Sequence, residues 1–474
     1  MSLLRTAPLP ADTVPVFDAD LIARYDTSGP RYTSYPTAPQ FRADFGAEDF
    51  RRAAHASNED PIPRPLSLYV HVPFCASPCF YCGCTRIITR DRRKADRYLA
   101  HLIAELDRVA PLFDRDRPLL QLHLGGGTPN FFDTRQLRTL VEAIGQRFSP
   151  AERGRREFGI ELDPRGADAA YVRELAELGF DRLSLGIQDF DPDVQKAINR
   201  VQTPAEVGAI IDAAHANGFR SVSVDLIYGL PHQTLERFTR TLRTVAALRP
   251  QRIVTYAYAH LPERFRAQRR IPAAALPDAS TRLALLGRCV EELSAAGYRY
   301  IGMDHFALPD DELSRAQAEG TLQRNFQGYS THADCDLIGL GVSAISHVGA
   351  TFSQNLRELP AYETALDAGR QPIDRGLRLD RDDLARADVI QQLMCHDAVD
   401  VEAVERRHRL DFAAYFADAL QRLRTLERDG LVALTPQRIL VRPAGRLLLR
   451  NVAMCFDAYL RPAAAPAARY SRTL

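Results

Sequence analysis

From residue 66 to about residue 262 the chain alternates short β-rich runs with amphipathic helical stretches, and this alternation constrains the fold more than any other feature. Strands interleaved with helices in this way build βα units whose strands lie parallel in one sheet. Six runs read as strands: LSLYVHV from Leu66, LLQLHL from Leu119, EFGIEL from Glu157, RLSLGIQ from Arg182, SVSVDLIY from Ser221 and RIVTYAYA from Arg252. The helices between them carry apolar residues at steps of three and four, as at Leu235, Phe238, Leu242, Val245 and Leu248, and again between Lys94 and Phe113. A helix over Ala279 to Gly297 leads to a further strand, RYIGMDHFA from Arg299. Six or seven parallel βα units predict a full or partial barrel of the TIM type, and a doubly wound open sheet fits the same pattern.

The chain has 474 residues, more than the roughly 250 to 300 at which a single core stops growing, so more than one domain is expected. Residues 1–60 read as a Pro- and Tyr-rich arm, with RYTSYPTAPQF from Arg31 as its most distinctive part and too little periodicity for a domain. Residues 61–350 hold the barrel and residues 351–474 a small, mainly helical C-terminal domain. In that last part, helices after Asp380, a hairpin over LVALTPQRILV from Leu431 and a helix from Ala444 to Leu460 suggest a winged-helix plan, followed by the Ala/Pro tail RPAAAPAARY. Mixed charge on the recognition-helix candidates, and 61 basic against 60 acidic residues overall, argue against nucleic acid as a partner. The N-terminus lacks a signal-type apolar run and no stretch of about 18 apolar residues occurs, so a cytoplasmic protein without a membrane span is expected.

Eight cysteines are present, and four of them, Cys75, Cys79, Cys82 and Cys84, fall within HVPFCASPCFYCGCTR, just after the first predicted strand. Such clustering is not disulfide spacing and points to a metal or redox centre. In parallel βα folds, ligand-binding groups gather at the C-terminal ends of strands, where this loop sits. Three thiolates on one tight loop can hold three irons of a cubane and leave the fourth open, whereas ordinary electron-transfer clusters close every position. Zinc is the competing metal, but structural zinc sites favour paired Cys-x-x-Cys elements with a longer spacer. Cys289, Cys335, Cys395 and Cys455 are scattered and read as small buried hydrophobes.

The arrangement Cys-x-x-x-Cys-x-aromatic-Cys at the first strand of a βα barrel resembles the radical SAM signature. The resemblance implies that Cys75, Cys79 and Cys82 hold a 4Fe-4S cluster whose open iron chelates S-adenosylmethionine, the source of a 5′-deoxyadenosyl radical. Further segments are YVHVPFC from Tyr69, LGGGTPNFF from Leu124, IELDPRG from Ile160, LSLGIQDFD from Leu183 and VDLIYGLPHQT from Val224. With them stand NFQGYSTHADCDLIGLGVSAIS from Asn325, the arm RYTSYPT and the ending NVAMCFDAYLR from Asn451. Together they make the chain similar, over nearly its whole length, to the oxygen-independent coproporphyrinogen III oxidases.

That resemblance implies a partial TIM-like (β/α)6 radical SAM barrel with an N-terminal arm and a small helical C-terminal domain. It implies oxidative decarboxylation of the ring A and ring B propionates of coproporphyrinogen III to vinyl groups, giving protoporphyrinogen IX. It also implies two S-adenosylmethionine molecules, an electron donor such as flavodoxin or ferredoxin, and a monomer. Carried over by motif, Tyr69, Gly126, Glu161 and Ile345 surround the cluster-bound cofactor. Gly127, Thr128, Tyr81, Gln188, Arg200, Asp225 and Ala259 line the second molecule's site.

Read from the residues alone, Gly125 to Gly127 let backbone approach a ligand closely or simply make a tight turn. Glu161 and Asp225 at strand ends could bind ribose hydroxyls or an ammonium group, or merely cap and solvate. Cys84 matches an additional, non-ligating cysteine. The substrate carries four carboxylates, for which Arg31 is the candidate partner, and Gln327 is a candidate for positioning substrate or cofactor. The rival functions are a haem chaperone of the same group, which shares the three cysteines but generally lacks Cys84 and the arm, and a radical SAM enzyme acting on another substrate.

Overall fold

The computed structural model describes residues 14–332 and 334–460; the Ala/Pro tail and the first thirteen residues of the arm, on which the signal-peptide reading rested, lie outside the described residues. Six strands stand side by side in chain order, all parallel: β1 Leu66–Val72, β2 Pro118–Gly126, β3 Glu157–Leu162, β4 Arg182–Gln188, β5 Ser221–Tyr228 and β6 Arg252–Ala257. Helices α1 Arg93–Val109, α2 Thr134–Arg147, α3 Ala169–Glu177, α4 Pro204–Ala216, α5 Leu235–Ala247 and α6 Ala279–Ala295 follow them in turn. Leu66, Leu68, Val70 and Val72 of β1 are fully buried, as a strand covered by crossover helices requires. The predicted apolar stripe of α5 is the face it buries, with Phe238, Leu242 and Val245 in the core. Capping boxes at Asp133 and Thr203 start α2 and α4, the latter with Pro204 at its first position. The expected partial (β/α)6 barrel is therefore present.

The segment RYIGMDHFA does not add a parallel strand. It folds into an antiparallel hairpin, β7 Arg299–Gly302 and β8 His305–Ala307, with β8 antiparallel to β6. The chain reverses at Met303, whose φ of 54° is left-handed, so a run that reads as one strand is two. The seventh parallel strand is β9 Asp336–Leu340, and it pairs with the opposite side of β1. From β9 the sheet continues antiparallel through β10 Ile345–Val348, β11 Thr351–Asn355 and β12 Ile373–Arg378, so strands either side of residue 350 share one sheet. Among the described residues no pairing joins β7 or β8 to β12, and the sheet stays open.

A second core unites the C-terminal helices Arg381–His396, Val401–His408 and Ala417–Arg428 with Tyr32 and Tyr35 of the arm. Beside them a three-stranded sheet contains the expected hairpin, Val432–Leu434 and Arg438–Val441. The helix expected over 444–460 is shorter: a 3-10 turn Pro443–Leu448 precedes α-helix only over Leu449–Met454. Gly445 passes so close to the Leu431 carbonyl that a Cβ would lie 2.2 Å from it, which sets the path of that turn. The arm also contains a helix not anticipated from its sequence, Ala47–Asn58. No described helix is long and apolar enough to cross a membrane.

One buried ion pair fastens β9 to the rest. Arg117, at the start of β2, donates from Nη2 to Asp336 at 2.5 Å and also reaches Ser57, Asn58 and the Arg64 carbonyl. Both side chains are nearly inaccessible, at 2% and 1%. Removing one member of such a pair strands the other charge. Arg117→Met is therefore expected to lower stability by about 3–5 kcal/mol, read as a drop in the urea midpoint; an unchanged midpoint would show that the pair does not secure the sheet.

Candidate active site

The cysteine loop leaves the C-terminal end of β1 and is fixed at its root. Phe74–Cys75 pairs with Ile87–Ile88, and fully buried Phe74 packs on Tyr98 and Phe131. The turn after β2 lies against the same root: the Gly127 and Thr128 amides donate to the Val72 and Phe74 carbonyls at 2.8 and 2.9 Å. A Cβ on Gly126, where φ is +124°, would lie 2.8 Å from Val72 O, and one on Gly127 2.6 Å from Pro73 O. The close approach that these glycines permit is to the cysteine loop itself. Arg86 then gathers the loop, donating to the carbonyls of Cys82, Cys79 and Cys84.

Cys75, Cys79 and Cys82 line a cavity of about 380 Å³, as do Gly126, Gly127, Thr128 and Glu161. Tyr81, Gln188, Arg200, Asp225 and Ala259 line the same cavity, so it collects twelve of the fourteen candidates. Tyr69 and Ile345 stay outside its lining. Tyr69, on β1, stacks on His123 with centroids 6.0 Å apart and places its hydroxyl 3.1 Å from His71 Nδ1. Ile345, on β10, packs beside Phe41, Phe352 and Leu377, and its backbone lies against Gly339, the register partner of Tyr69. Cys84 opens onto the cavity and is exposed. Cys289, Cys335, Cys395 and Cys455 are buried.

The thiols sit in a cationic setting. Arg165 and Arg200 approach Cys79 Sγ at 3.5 and 3.4 Å. The Cys84 thiol donates to Cys82, which with Arg86 and Arg200 holds Cys82 down to about 6 against its burial. Burial and the neighbouring thiolates push Cys75 up to about 12. Arg200 is buried and would lose its proton more readily for that reason alone, yet Tyr81, Asp163 and Cys79 hold it firmly charged. Among the described residues no three His, Cys, Asp or Glu side chains converge on a single ion. A cubane asks for something else, three thiolates spread over three irons, and three cysteines around one cavity under guanidinium counter-charge fit it.

Glu161 accepts from the Gly126 amide at 3.3 Å and sits 3.2 Å from His123 Nε2. Gly125 makes room for it, since a Cβ there would lie 2.9 Å from the carboxylate. Burial and the Glu161 charge raise Asp225 to about 7. Gln188 ends β4 at a bulge in a left-handed conformation, φ 71°, a strained backbone of the kind that collects at functional sites. Gln268, not singled out from the sequence, donates to the Tyr81 and Ala259 carbonyls and so ties two candidates together.

A second cavity of about 170 Å³ inside the barrel shares Glu161, Ser184, Asp225 and Tyr256 with the first and is lined also by His305, Asn325, Gln327 and Tyr329. Arg31 lies over the Tyr256 ring, 5.3 Å from its centroid, and pairs with Asp304. Arg86, Arg165, Gln268 and Tyr256 escaped the sequence reading. Only Arg165 had a local signal, in the Asp-Pro-Arg turn after β3.

The radical SAM superfamily model matches residues 69–245 and the HemN C-terminal domain model residues 379–448. The chain is 51% identical to the oxygen-independent coproporphyrinogen III oxidase of Pseudomonas aeruginosa over 94% of this chain and 96% of that one. It is 47% identical to the Escherichia coli protein of the same name with the same coverage. The solved structure described as "Coproporphyrinogen III oxidase (HemN) from Escherichia coli is a Radical SAM enzyme" superposes with a TM-score of 0.89 at 45% identity, over 94% of this chain and all of that one.

Two outcomes are expected. After anaerobic reconstitution, Cys79→Ser retains little iron and labile sulfide while Cys84→Ser keeps a full complement; full cluster content in Cys79→Ser would overturn the ligand assignment. Asp225 ionises near 3.8 in the unfolded chain but only at about 7 in the fold, so its charge costs stability progressively as pH rises between those values. The thermal midpoint of Asp225→Asn should thus gain on the wild type from pH 4 to 7 and hold a constant lead above; a pH-independent difference would contradict the burial of that carboxyl.

Proposed function

The chain belongs to the oxygen-independent coproporphyrinogen III oxidases of the radical SAM superfamily, and from that membership we infer that it converts the ring A and ring B propionates of coproporphyrinogen III to vinyl groups, yielding protoporphyrinogen IX without oxygen. Each conversion removes a propionate β-hydrogen atom, carbon dioxide and one electron, the last passing to an acceptor. The observation that carries the reading is the adjacency of two cavities: the chamber at the three-thiol loop and the cavity inside the barrel share Glu161, Ser184, Asp225 and Tyr256 as lining. Against the haem-chaperone alternative stand the relatives named above, which carry the oxidase name and match 94% of this chain.

A 4Fe-4S cluster and S-adenosylmethionine come with the superfamily. Cys75, Cys79 and Cys82 would hold the cluster, and together the two cofactors supply a 5′-deoxyadenosyl radical. Around them Glu161 and the Gly126 turn offer an acceptor and backbone to the cofactor's amino and ribose groups. Tyr69 and Ile345 support that site from β1 and β10, outside the cavity wall. Gly127, Thr128, Tyr81, Gln188, Arg200, Asp225 and Ala259 would line a second S-adenosylmethionine. Arg200, always charged, suits a carboxylate, and Asp225 suits an ammonium or hydroxyl group. Phe265 and Gln268 line the chamber beside Ala259, whose carbonyl Gln268 holds. A flavodoxin or ferredoxin as electron donor, a monomeric state and a cytoplasmic location complete the proposal.

The test is anaerobic turnover of the reconstituted protein with S-adenosylmethionine, a reductant and coproporphyrinogen III, followed by mass spectrometry. Protoporphyrinogen IX with methionine and 5′-deoxyadenosine is expected. Cofactor cleavage with unchanged porphyrinogen, or tight haem binding without turnover, would overturn the oxidase reading.

A further inference from the structure

The short hairpin Gln323–Asn325 and Gly328–Ser330 carries Arg324 into the junction of barrel, arm and C-terminal helices. Arg324 is only 7% exposed, and its guanidinium lies over the Tyr329 ring, 4.8 Å from the centroid. Its Nε and Nη1 are buried without a hydrogen-bond acceptor among the described residues. Holding a buried guanidinium with neither counter-ion nor acceptor is expensive.

The surroundings do not relieve the charge. Burial and the charges of Arg324, Arg31 and Arg252 hold His305 neutral. Burial, Arg31 and Arg324 push Arg450 down to about 9. Asp304 is taken by Arg31. Asp388, an acid on the same cavity wall, is taken by Arg407 at 2.7 Å and His408 at 3.0 Å. Asp397, which acts on Cys395 together with Arg324, is taken by Arg446 at 2.8 Å, so among the described residues one guanidinium is left over.

Arg324 lines a junction cavity of about 300 Å³ that shares Ser67, Gln121 and Asn325 with the barrel cavity and nothing with the chamber at the cysteine loop. The junction cavity therefore abuts the barrel cavity across these three residues, and no residue of its lining belongs to the chamber at the thiols. We propose that Arg324 binds a carboxylate of the porphyrinogen, on a propionate that does not react, and thereby anchors the macrocycle in the junction cavity. This rests on the activity inferred above. It differs from the role considered for Arg31, whose charge is already compensated within the chain.

Arg324→Met removes the charge and keeps most of the bulk, and Arg324→Lys restores a charge without the fork. In the reconstituted enzyme, Arg324→Met is expected to raise the KM for coproporphyrinogen III roughly 30-fold or more, with partial recovery in Arg324→Lys. Cluster content and the KM for S-adenosylmethionine should match the wild type. The thermal midpoint of the ligand-free protein should hold or rise, because an uncompensated buried charge is gone. A porphyrinogen KM within about twofold of wild type would overturn the proposal, as would a fall in thermal midpoint with loss of the cluster, which would mark Arg324 as structural. A wild-type protein that leaves coproporphyrinogen III unchanged would overturn the activity itself, and the subsite with it.

Discussion

The structure turns on a contact between two backbones. The glycine turn after β2 lies flush against the root of the cysteine loop after β1, with amides of Gly127 and Thr128 on carbonyls of Val72 and Phe74. No side chain fits between them, because a Cβ on Gly126 or Gly127 would sit under 3 Å from that backbone. The contact extends the β1–β2 pairing, in register from Ser67 to Val72, one step beyond the sheet. A loop that would otherwise be free thus becomes part of the barrel rim. Arg86 completes the work from within by bonding three of the loop's carbonyls.

From that fixed loop the electrostatics follow in sequence around the rim. Guanidinium groups from the turn after β3, Arg165, and from the segment between β4 and α4, Arg200, face Cys79, where a thiolate cluster would concentrate negative charge. Carboxylates lie on the barrel side, with Glu161 and Asp225 close enough to repel each other and keep Asp225 reluctant to ionise. Beyond the barrel cavity an uncompensated positive charge returns at Arg324. The thiol chamber thus has guanidinium groups beside its cysteines and carboxylates on its barrel side, a pattern matched to an anionic cluster and a cationic sulfonium.

The sequence made the six parallel strands legible because each is a short apolar or alternating run bounded by turn residues, and β1, β3, β4 and β5 begin and end where they were expected. It misled at RYIGMDHFA, where β-prone residues flank a reversal that depends on Met303 adopting a left-handed backbone. It hid β9, whose DLIGL core is too short and glycine-bearing to show a period, and which pairs with a strand far away in sequence. Of the twelve candidate residues that share one cavity, all but Arg200 were brought together because motifs mark strand ends and the loops after them, which converge at the rim; Arg200 reaches it from beyond a short helix, Pro192–Ala197. Arg86 and Gln268 were missed because they bond carbonyls rather than the ligand, a role without a residue-type signature. Arg324 was missed for a related reason: its meaning lies in the absence of a counter-ion among the described residues, which only packing reveals.

The central claim is that three cysteines hold a cluster with one iron free for S-adenosylmethionine. Electron paramagnetic resonance of the reduced, reconstituted protein tests it most directly, with S-adenosylmethionine labelled by 15N in its amino group and 17O in its carboxylate. The account predicts that the cluster signal shifts on adding the cofactor and acquires hyperfine coupling from both labels. A signal indifferent to the cofactor, without coupling from either label, would mean that no iron is open and would contradict the account.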